Sequence, residues 1–187
     1  TGLSQHEQAD SYQTVKETSV YLKFKIKNKT DEYILAWTTT PWTLPSNTAL
    51  ALGPNIRYVK VLTFNPYSGD PAVVILAKDR LAAYFNAANE NEGFYEYKPG
   101  DKKLPYRILA EYAGSELVGV SYEQLFPWVK PEGDAFRTIG GDYVTTEDGT
   151  GIVHIAPTFG ADDDRVAKAA GIAPLILRDK MGSPEPM

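Results

Sequence analysis

The sequence predicts a mainly β protein with peripheral helices (an α+β fold), in which short strands form a closed β-barrel. Three observations favour this fold class: apolar and polar residues alternate along several segments of strand length, Pro and Gly are spread between those segments, and helical patterns are few. The chain has 187 residues, of which 43% are hydrophobic, enough for one well-buried core but too few for two comfortable domains. We therefore expect a single domain over residues 1–187, with residues 1–15 as a polar, linker-like first segment.

The strands can be placed in order from this alternation and from the turn residues between them. In the first strand, Val20, Leu22, Phe24 and Ile26 are apolar and lysines occupy positions between them, which predicts one buried and one solvated face. Aromatic and β-branched residues mark the later strands, and Asn, Asp, Gly and Pro mark the turns. These later strands are predicted at residues 33–39, 48–52, 58–64, 72–77, 108–112, 117–120, 136–139 and 152–155.

Helices are predicted at residues 79–86, near 122–125, and from 162 to 171. Asp79 can cap the first of them, and Gly171 suits the left-handed position at the end of the last. Between two strands, Pro41 and Pro45 interrupt regular pairing, so residues 40–47 are expected to form an ordered loop.

Composition narrows the classes of function. The chain has no Cys, which excludes disulfide scaffolds, thiolate zinc sites and a cysteine nucleophile, and His6 and His154 are too few for a histidine-rich metal site. A net charge of −5 argues against a free-standing nucleic-acid binder. The longest apolar run, residues 72–77, has the length of a strand, so we expect no membrane segment. The lack of Cys fits a reducing compartment, and we expect the protein to be cytoplasmic.

The first segment that carries chemistry is residues 37–47, which is rich in hydroxyl groups. Thr38, Thr39, Thr40 and Thr43 lie near a predicted strand end, and two prolines stiffen the segment and remove backbone donors. Side-chain hydroxyls there can face a ligand. Threonine is also simply a good strand former, and for an arbitrary run of threonines that interpretation is favoured. The whole eleven-residue segment is much less likely to occur by chance than a run of threonines alone.

The second segment is residues 149–164. A strand delivers His154, a loop with Pro and Gly follows, and three aspartates stand where a helix begins. A carboxylate in a first helical turn is stabilised by the helix dipole, so at least one should stay ionised and could receive an ammonium group. Residues 162–164 could instead merely cap the helix, and His154 could be a satisfied core histidine. A divalent metal is weaker as an interpretation, because consecutive aspartates on one helical turn point in different directions, and we predict no metal.

Together these two segments resemble the editing insertion, also called CP1, that the isoleucyl-, valyl- and leucyl-tRNA synthetases share. The resemblance covers essentially the whole chain and implies that it is excised from a larger synthetase. Within the group the chain is similar to the isoleucyl type, because Thr40 stands where the valyl and leucyl types have arginine. The isoleucyl pattern His-x-Ala-Pro followed by Phe-Gly-x-x-Asp is matched by His154, Ala156, Pro157, Phe159, Gly160 and Asp163.

The resemblance implies a reaction and a set of partners. The substrate would be valine wrongly esterified to the 3′ terminal adenosine of isoleucine tRNA, and the reaction hydrolysis of that ester, with hydrolysis of valyl-adenylate as a second possibility. ATP-site signatures such as His-Ile-Gly-His are missing, so the domain would not activate amino acids and would need no cofactor. ATP and Mg²⁺ would act elsewhere in the full-length enzyme. The rest of the synthetase would be a partner, and the isolated domain is expected to be monomeric.

The resemblance also implies roles for particular residues. Asp163 would anchor the substrate ammonium group, and His154 would form a wall that rejects isoleucine by its size. Trp42 would either pack beside the adenosine or fill the core.

The same resemblance gives the hydroxyl-rich segment its roles. Thr38, Thr39 and Thr40 would hydrogen-bond the ester or the terminal ribose and help to place a water molecule. Thr43 and Asn47 would support these groups or contact the adenosine. No Ser-His-Asp arrangement can be found in either segment, so we predict no covalent nucleophile.

Three other functions stay open. Valyl-type editing of threonine is disfavoured by Thr40 and His154, although a hydroxyl-rich loop would not forbid it. A non-catalytic tRNA-binding module is weakened by the negative net charge. A metal-dependent hydrolase would have to use the aspartates at residues 162–164.

Overall fold

The structure is a computed structural model that describes residues 19–185, and this part of the chain is mostly β, as predicted. The predicted linker-like segment, residues 1–15, lies outside the described residues. The strands are β1 (Val20–Lys25), β2 (Glu32–Thr38), β3 (Ala49–Leu52), β4 (Arg57–Phe64), β5 (Pro71–Ala77), β6 (Arg107–Ala113), β7 (Arg137–Gly140), β8 (Ile152–Ile155), β9 (Leu177–Arg178) and β10 (Pro184–Glu185). The α-helices are α1 (Leu81–Tyr84), α2 (Gly114–Leu117) and α3 (Ala161–Ala169), and the 3₁₀ helices are Pro41–Ser46, Lys78–Arg80 and Ala87–Asn89.

Eight strands form one curled sheet, which is open. Its order is β6-β4-β5-β2-β8-β3-β7, and β1 pairs with β2 outside this path. The predicted closed barrel is therefore wrong, and the sheet is a half-barrel. A barrel closes only when its terminal strands pair with each other. In the described residues β6 and β7 are not paired with each other: β6 pairs with β4, and β7 pairs with β3 and forms an isolated bridge from Arg137 to Ser121.

The core is built on both faces of β3, whose four residues are at most 1% exposed. Leu50 and Leu52 pack into one cluster with residues such as Phe24, and Ala49 and Ala51 pack into a second cluster on the opposite face. Successive side chains of a strand point to opposite faces, so a short apolar strand in the middle of the molecule can serve two clusters. In β1 the predicted alternation is confirmed, since Phe24 is buried while Lys23 is exposed.

Two element predictions around residue 120 are wrong. Residues 117–120 were expected to be a strand, yet Leu117 ends helix α2, in which the Glu116 carboxylate accepts a hydrogen bond from the Ala113 N–H at 2.6 Å. Residues 122–125 were expected to be a helical turn, yet Tyr122 is extended and pairs with Ile26 in an antiparallel bridge. At Tyr122 tertiary packing overrides local propensity, because its fully buried ring completes the main core cluster.

The other differences are smaller. The helix expected at residues 79–86 is a 3₁₀ turn followed by α1, and Asp79 makes no capping hydrogen bond. Residues 40–47 are ordered as predicted and contain the 3₁₀ helix Pro41–Ser46, and Gly171 has the predicted left-handed conformation after α3. The short pair β9–β10 had no signal in the sequence. The longest helix in the described part of the chain has nine residues, and none there could cross a membrane.

The topology brings both chemistry-bearing segments to one end of the sheet. Strand β8 lies between β2 and β3, parallel to β2 through Trp37 and Val153, and antiparallel to β3 with His154 opposite Leu50. The carboxyl ends of β2 and β8 and the amino end of β3 therefore meet. The 3₁₀ helix that joins β2 to β3 spans this end, and the loop after β8 leads into α3 beside it.

One buried hydroxyl should lower stability and can be tested. Thr48 is 0% exposed, and its Oγ1 has no hydrogen-bond partner within residues 19–185. Burying a polar group without a partner costs free energy, so Thr48→Val should raise the free energy of unfolding by about 1 kcal/mol and Tm by about 3 °C. Thermal and urea unfolding of the chain would measure both.

The matched control is Thr63→Val. Thr63 in β4 is also buried, at 4% exposed, but its Oγ1 donates to the Pro105 carbonyl oxygen at 2.8 Å, so the same substitution should lower Tm. A fall in Tm for both variants would contradict the prediction.

Candidate functional site

A cleft of about 470 Å³ lies where β2, β8 and α3 meet. All of the sequence-predicted site residues except Asn47 line it: Thr38, Thr39, Thr40, Trp42, Thr43, His154 and Asp163. Its other lining residues belong to the same two segments but were given no role in the site from the sequence: Trp37, Val153, Ala156, Phe159 and Gly160. Two segments about a hundred residues apart thus form one site, and Asn47 lies directly behind its wall.

Asn47 holds one nitrogen of the His154 ring. Its Nδ2 donates to Nδ1 of His154 at 2.8 Å and to the Ala49 carbonyl oxygen at 2.9 Å, and its Oδ1 accepts from the Tyr122 hydroxyl at 2.6 Å. The carbonyl can only accept, so the amide must present its NH₂ side toward Ala49 and His154. Nδ1 of His154 is consequently an acceptor and carries no proton.

Thr43 holds the other nitrogen of the ring. Its Oγ1 lies 3.0 Å from Nε2 of His154 and donates its own proton to the Thr40 carbonyl oxygen at 2.8 Å. Nε2 must therefore be the donor to Thr43, which gives the same neutral tautomer that Asn47 requires. Burial lowers the pKa of His154 from 6.5 to about 4, so the ring is uncharged at neutral pH.

The three consecutive threonines have different surroundings. The Thr38 hydroxyl is buried, accepts from the Thr40 N–H at 3.0 Å and lies 3.2 Å from Thr40 Oγ1. Thr40 Oγ1 also lies 3.5 Å from Thr43 Oγ1. Thr39 is half-buried in the cleft, and its hydroxyl makes no hydrogen bond to the described residues. Thr39 therefore offers the cleft a hydroxyl that no protein group engages.

The three aspartates of α3 also separate, and only Asp163 faces the cleft. Its Oδ2 accepts from the Ala156 N–H at 2.8 Å, while Asp162 pairs with Arg165 at 3.1 Å and Asp164 with Lys168 at 2.7 Å on the outer face. The helix begins after Gly160 without a side-chain cap, so capping does not explain these residues.

The charge of Asp163 depends on opposing influences. Desolvation raises the pKa of its carboxyl above the ordinary value, the Ala156 N–H lowers it, and the nearby Asp162 raises it slightly further. A partly desolvated carboxylate that is fixed by one backbone N–H is stabilised further when a cation approaches it. Asp162 and Asp164 point away from it, and nowhere in residues 19–185 do three His, Asp or Glu side chains form a group that could hold a metal.

Aromatic side chains form the rim and one wall of the cleft. Trp42 is 68% exposed, so it does not fill the core, and Phe159 is about half exposed. Trp37 packs against Gly149, where a Cβ atom would lie 1.4 Å from the indole nitrogen. With φ near +61° as well, that position tolerates only glycine without rearrangement. The cleft thus has a polar interior and an accessible aromatic edge.

Comparison with known proteins points in one direction, although no protein-family model matches the chain. The isoleucine–tRNA ligase of Bacteroides fragilis is 58% identical over 196 residues, and that of Porphyromonas gingivalis is 56% identical over 197 residues. Both alignments cover the whole chain, which spans 17% of the length of each relative. The isoleucine–tRNA ligase of Clostridium tetani is 44% identical and covers 97% of the chain.

Solved structures with the same fold are also editing domains. Those of the cytosolic leucyl-tRNA synthetases of P. falciparum and P. knowlesi both match with a TM-score of 0.52 at 18% identity. Each match covers 75% of this chain, and 48% and 52% of the two neighbours respectively. At this identity the likeness concerns the fold.

The neutral tautomer of His154 predicts a pH dependence of stability. The pKa of about 4 in the folded state lies below the ordinary 6.5 expected after unfolding, so the unfolded chain binds more protons between these values. His154 therefore destabilises the fold progressively as the pH falls from about 6.5 to 4, by up to about 3 kcal/mol, and has no such effect above that window.

Urea unfolding at pH 7 and pH 4, for the wild type and for His154→Gln, would isolate this contribution from that of the carboxylates. The loss of stability on acidification should be smaller in His154→Gln. NMR titration of the imidazole signals, with His6→Ala used for assignment, should place the pKa of His154 near 4. A pKa near 6.5 would contradict the buried tautomer.

Proposed function

The chain belongs to the isoleucine–tRNA ligase family and corresponds to its editing domain, and from this premise we propose that it hydrolyses valine wrongly esterified to the 3′ terminal adenosine of isoleucine tRNA. The observation that carries the proposal is the cleft itself. The carboxyl group of Asp163 faces it from α3, the unengaged hydroxyl of Thr39 faces it just after the end of β2, and the neutral ring of His154 lines it.

A separate hydrolytic site is needed because binding alone discriminates poorly between isoleucine and valine. One missing methylene changes the binding free energy by only about 1–3 kcal/mol, so a synthetic pocket for isoleucine accepts valine too often, and isoleucyl-tRNA synthetase is the usual illustration of this limit. A second site that admits valine and excludes isoleucine by size then removes the error by hydrolysis.

Asp163 is proposed to receive the ammonium group of the esterified amino acid. The Ala156 N–H fixes Oδ2 of its carboxylate at 2.8 Å. An ammonium group close to the carboxylate favours its charged form and offsets the desolvation that raises its pKa. The outward-facing Asp162 and Asp164 are already paired with cations of the same helix and are not needed for this role.

His154 is proposed to act as a wall and not as a base. Both ring nitrogens are occupied, Nδ1 by Asn47 and Nε2 by Thr43. A general base needs a free nitrogen within hydrogen-bond reach of the proton that it takes. The ring therefore limits the space for the amino-acid side chain and presents no positive charge to the substrate ammonium group.

The hydroxyl groups are proposed to place the ester and the attacking water. Thr39 has its hydroxyl unengaged, and Thr38 and Thr40 stand on either side of it at the end of β2. An aminoacyl ester is already activated, so positioning a water molecule and stabilising the oxyanion suffice without a covalent intermediate. A ribose hydroxyl of the tRNA is proposed to assist the proton transfer.

The aromatic rim is proposed to receive the terminal adenosine. Trp42 is exposed beside the cleft, and a base that stacks on an aromatic side chain gains about 1–3 kcal/mol. Asn47 is 2% exposed, so it supports the site from behind and does not contact the nucleoside. The hydroxyl of Thr43 is engaged with His154 and the Thr40 carbonyl oxygen, which also favours a supporting role.

The wider setting is part of the same proposal. The rest of the synthetase would place the tRNA, because RNA is held mainly by positive charge and this chain has a net charge of −5. Amino-acid activation with ATP and Mg²⁺ would occur elsewhere in the full-length enzyme, in the cytoplasm. The isolated domain is proposed to be a monomer without a cofactor.

Threonine is the second candidate substrate, because hydroxyl groups line the cleft. Thr39 could hydrogen-bond the hydroxyl of a threonyl ester, which is close in size to a valyl ester. The neutral His154 wall and Thr40 favour valine. Deacylation of valyl and threonyl esters of the same tRNA by the full-length enzyme would decide, and faster removal of threonine would reject the valine proposal.

The role of Asp163 is tested by Asp163→Asn in the full-length enzyme. Asn can still accept from the Ala156 N–H but offers no charge to an ammonium group, so single-turnover deacylation of valyl-tRNA should fall by about thirtyfold to a hundredfold. The matched control is Asp162→Asn, one position earlier on α3 and facing outward, which should leave the rate unchanged. Equal rates for the two variants would reject the anchor role.

The role of Thr39 is tested by Thr39→Val. This hydroxyl makes no bond to the described residues, so its loss should leave Tm unchanged and lower the deacylation rate by about fivefold to tenfold. Thr38→Val removes a hydroxyl that accepts from the Thr40 N–H and should lower Tm. An unchanged rate for Thr39→Val would mean that this hydroxyl does not contact the substrate or the water.

A further inference from the structure

Tyr122 lies behind the cleft and was not expected to belong to the site. It is 0% exposed, and its ring packs edge-on against Phe24 and Phe136 at centroid distances of 5.3 and 6.1 Å. Its hydroxyl donates to Oδ1 of Asn47 at 2.6 Å. A core aromatic thus reaches the residue that holds His154.

We infer that Tyr122 is a positioning residue for the choice between valine and isoleucine, because it fixes His154 through the amide of Asn47. The inference deepens the proposed function and rests on it. Tyr122 touches no substrate, so its contribution is to keep the wall of the cleft in one position.

The side-chain amide of Asn47 couples the Tyr122 hydroxyl to the His154 ring. Its Oδ1 meets the Tyr122 hydroxyl and its Nδ2 meets Nδ1 of His154, and both atoms belong to one rigid planar group. Without the hydroxyl, Oδ1 would be a buried acceptor without a partner in the described part of the chain, which is costly. Rotation of the amide, or entry of a water molecule, would repair that loss and would move Nδ2 away from the ring.

The consequence for His154 follows from its two nitrogens. With the Asn47 contact loosened, Nδ1 can carry a proton, and the ring is held only by Thr43 at Nε2. The wall then becomes mobile, and a longer side chain can enter the cleft. Burial raises the pKa of Tyr122 well above its ordinary value, so the hydroxyl keeps the proton that it donates at any working pH.

The first test is NMR of the imidazole nitrogens in the chain carrying Tyr122→Phe. We expect a mixture of the two neutral tautomers at His154 and a rise of its pKa from about 4 by about one unit. The control is Tyr58→Phe, since Tyr58 is also 0% exposed and its hydroxyl bonds Gly53 and Gly151 away from His154. That variant should lose stability without changing the His154 signals.

The second test is the specificity of the full-length enzyme. In Tyr122→Phe the ratio of isoleucyl-tRNA to valyl-tRNA deacylation should rise by about fivefold, the size of a typical coupling within one hydrogen-bond network. Tyr58→Phe should leave that ratio unchanged. If Tyr122→Phe and Tyr58→Phe have the same His154 signals and the same ratio, Tyr122 is only a core residue and the inference is wrong.

The outcomes separate this inference from the proposed function. If the wild-type enzyme does not remove valine, the proposed function fails, and a changed His154 tautomer in Tyr122→Phe would still show that the coupling exists. If Tyr122→Phe does not fold, the inference is tested by determining which nitrogen of His154 carries the proton in the wild-type chain. A proton on Nδ1 of His154 in the wild type would overturn the inference, and a proton on Nε2 alone would support it.

Discussion

The cleft depends on one continuous chain of hydrogen bonds from the core to the surface. It runs from the Tyr122 hydroxyl to Asn47, from Asn47 to His154, and from His154 through Thr43 to the Thr40 carbonyl oxygen. Because each member needs its neighbour to be a donor or an acceptor, only one tautomer of the ring satisfies the whole chain. A buried polar network that is fully satisfied specifies a single arrangement, and here it fixes a wall of the cleft.

The sheet makes this chain possible because β8 lies between β2 and β3. His154 is delivered by the middle strand, the threonines follow the parallel strand on one side, and Asn47 precedes the antiparallel strand on the other. The connection from β2 to β3 must cross the end of β8. Its residues Thr43 and Asn47 therefore contact the two ring nitrogens of His154. An open half-barrel is sufficient for this arrangement, and the site lies where three strands meet and not inside a closed barrel.

The sequence predicted the residue types of the site better than their arrangement. Alternation was enough to find β1, and β-branched residues after a turn were enough to find β8, because each pattern is local to one strand. Tyr122 was assigned to a helix, because nothing local shows that its ring fills a cluster or that its hydroxyl meets Asn47. Likewise, three threonines or three aspartates in a row look equivalent until the fold assigns partners to all but Thr39 and turns only Asp163 inward. Which strands remain unpaired depends on the whole sheet, so closure could not be read from single segments.

The electrostatics of the two walls are complementary in the proposed reaction. Desolvation disfavours charge on both sides: it lowers the pKa of His154 to about 4 and raises the pKa of Asp163. The histidine stays neutral because burial disfavours its charged form and because Asn47 donates to Nδ1, where a second proton would have to lie. It therefore adds no repulsion toward an ammonium group. An ammonium group beside the Asp163 carboxylate lowers the pKa of that carboxyl group again, because an opposite charge nearby acts against desolvation. The attraction between the ammonium group and the Asp163 carboxylate offsets the desolvation of that carboxylate, and in the proposed reaction this makes the cleft selective for an amino-acid ester over an ester that lacks the amine.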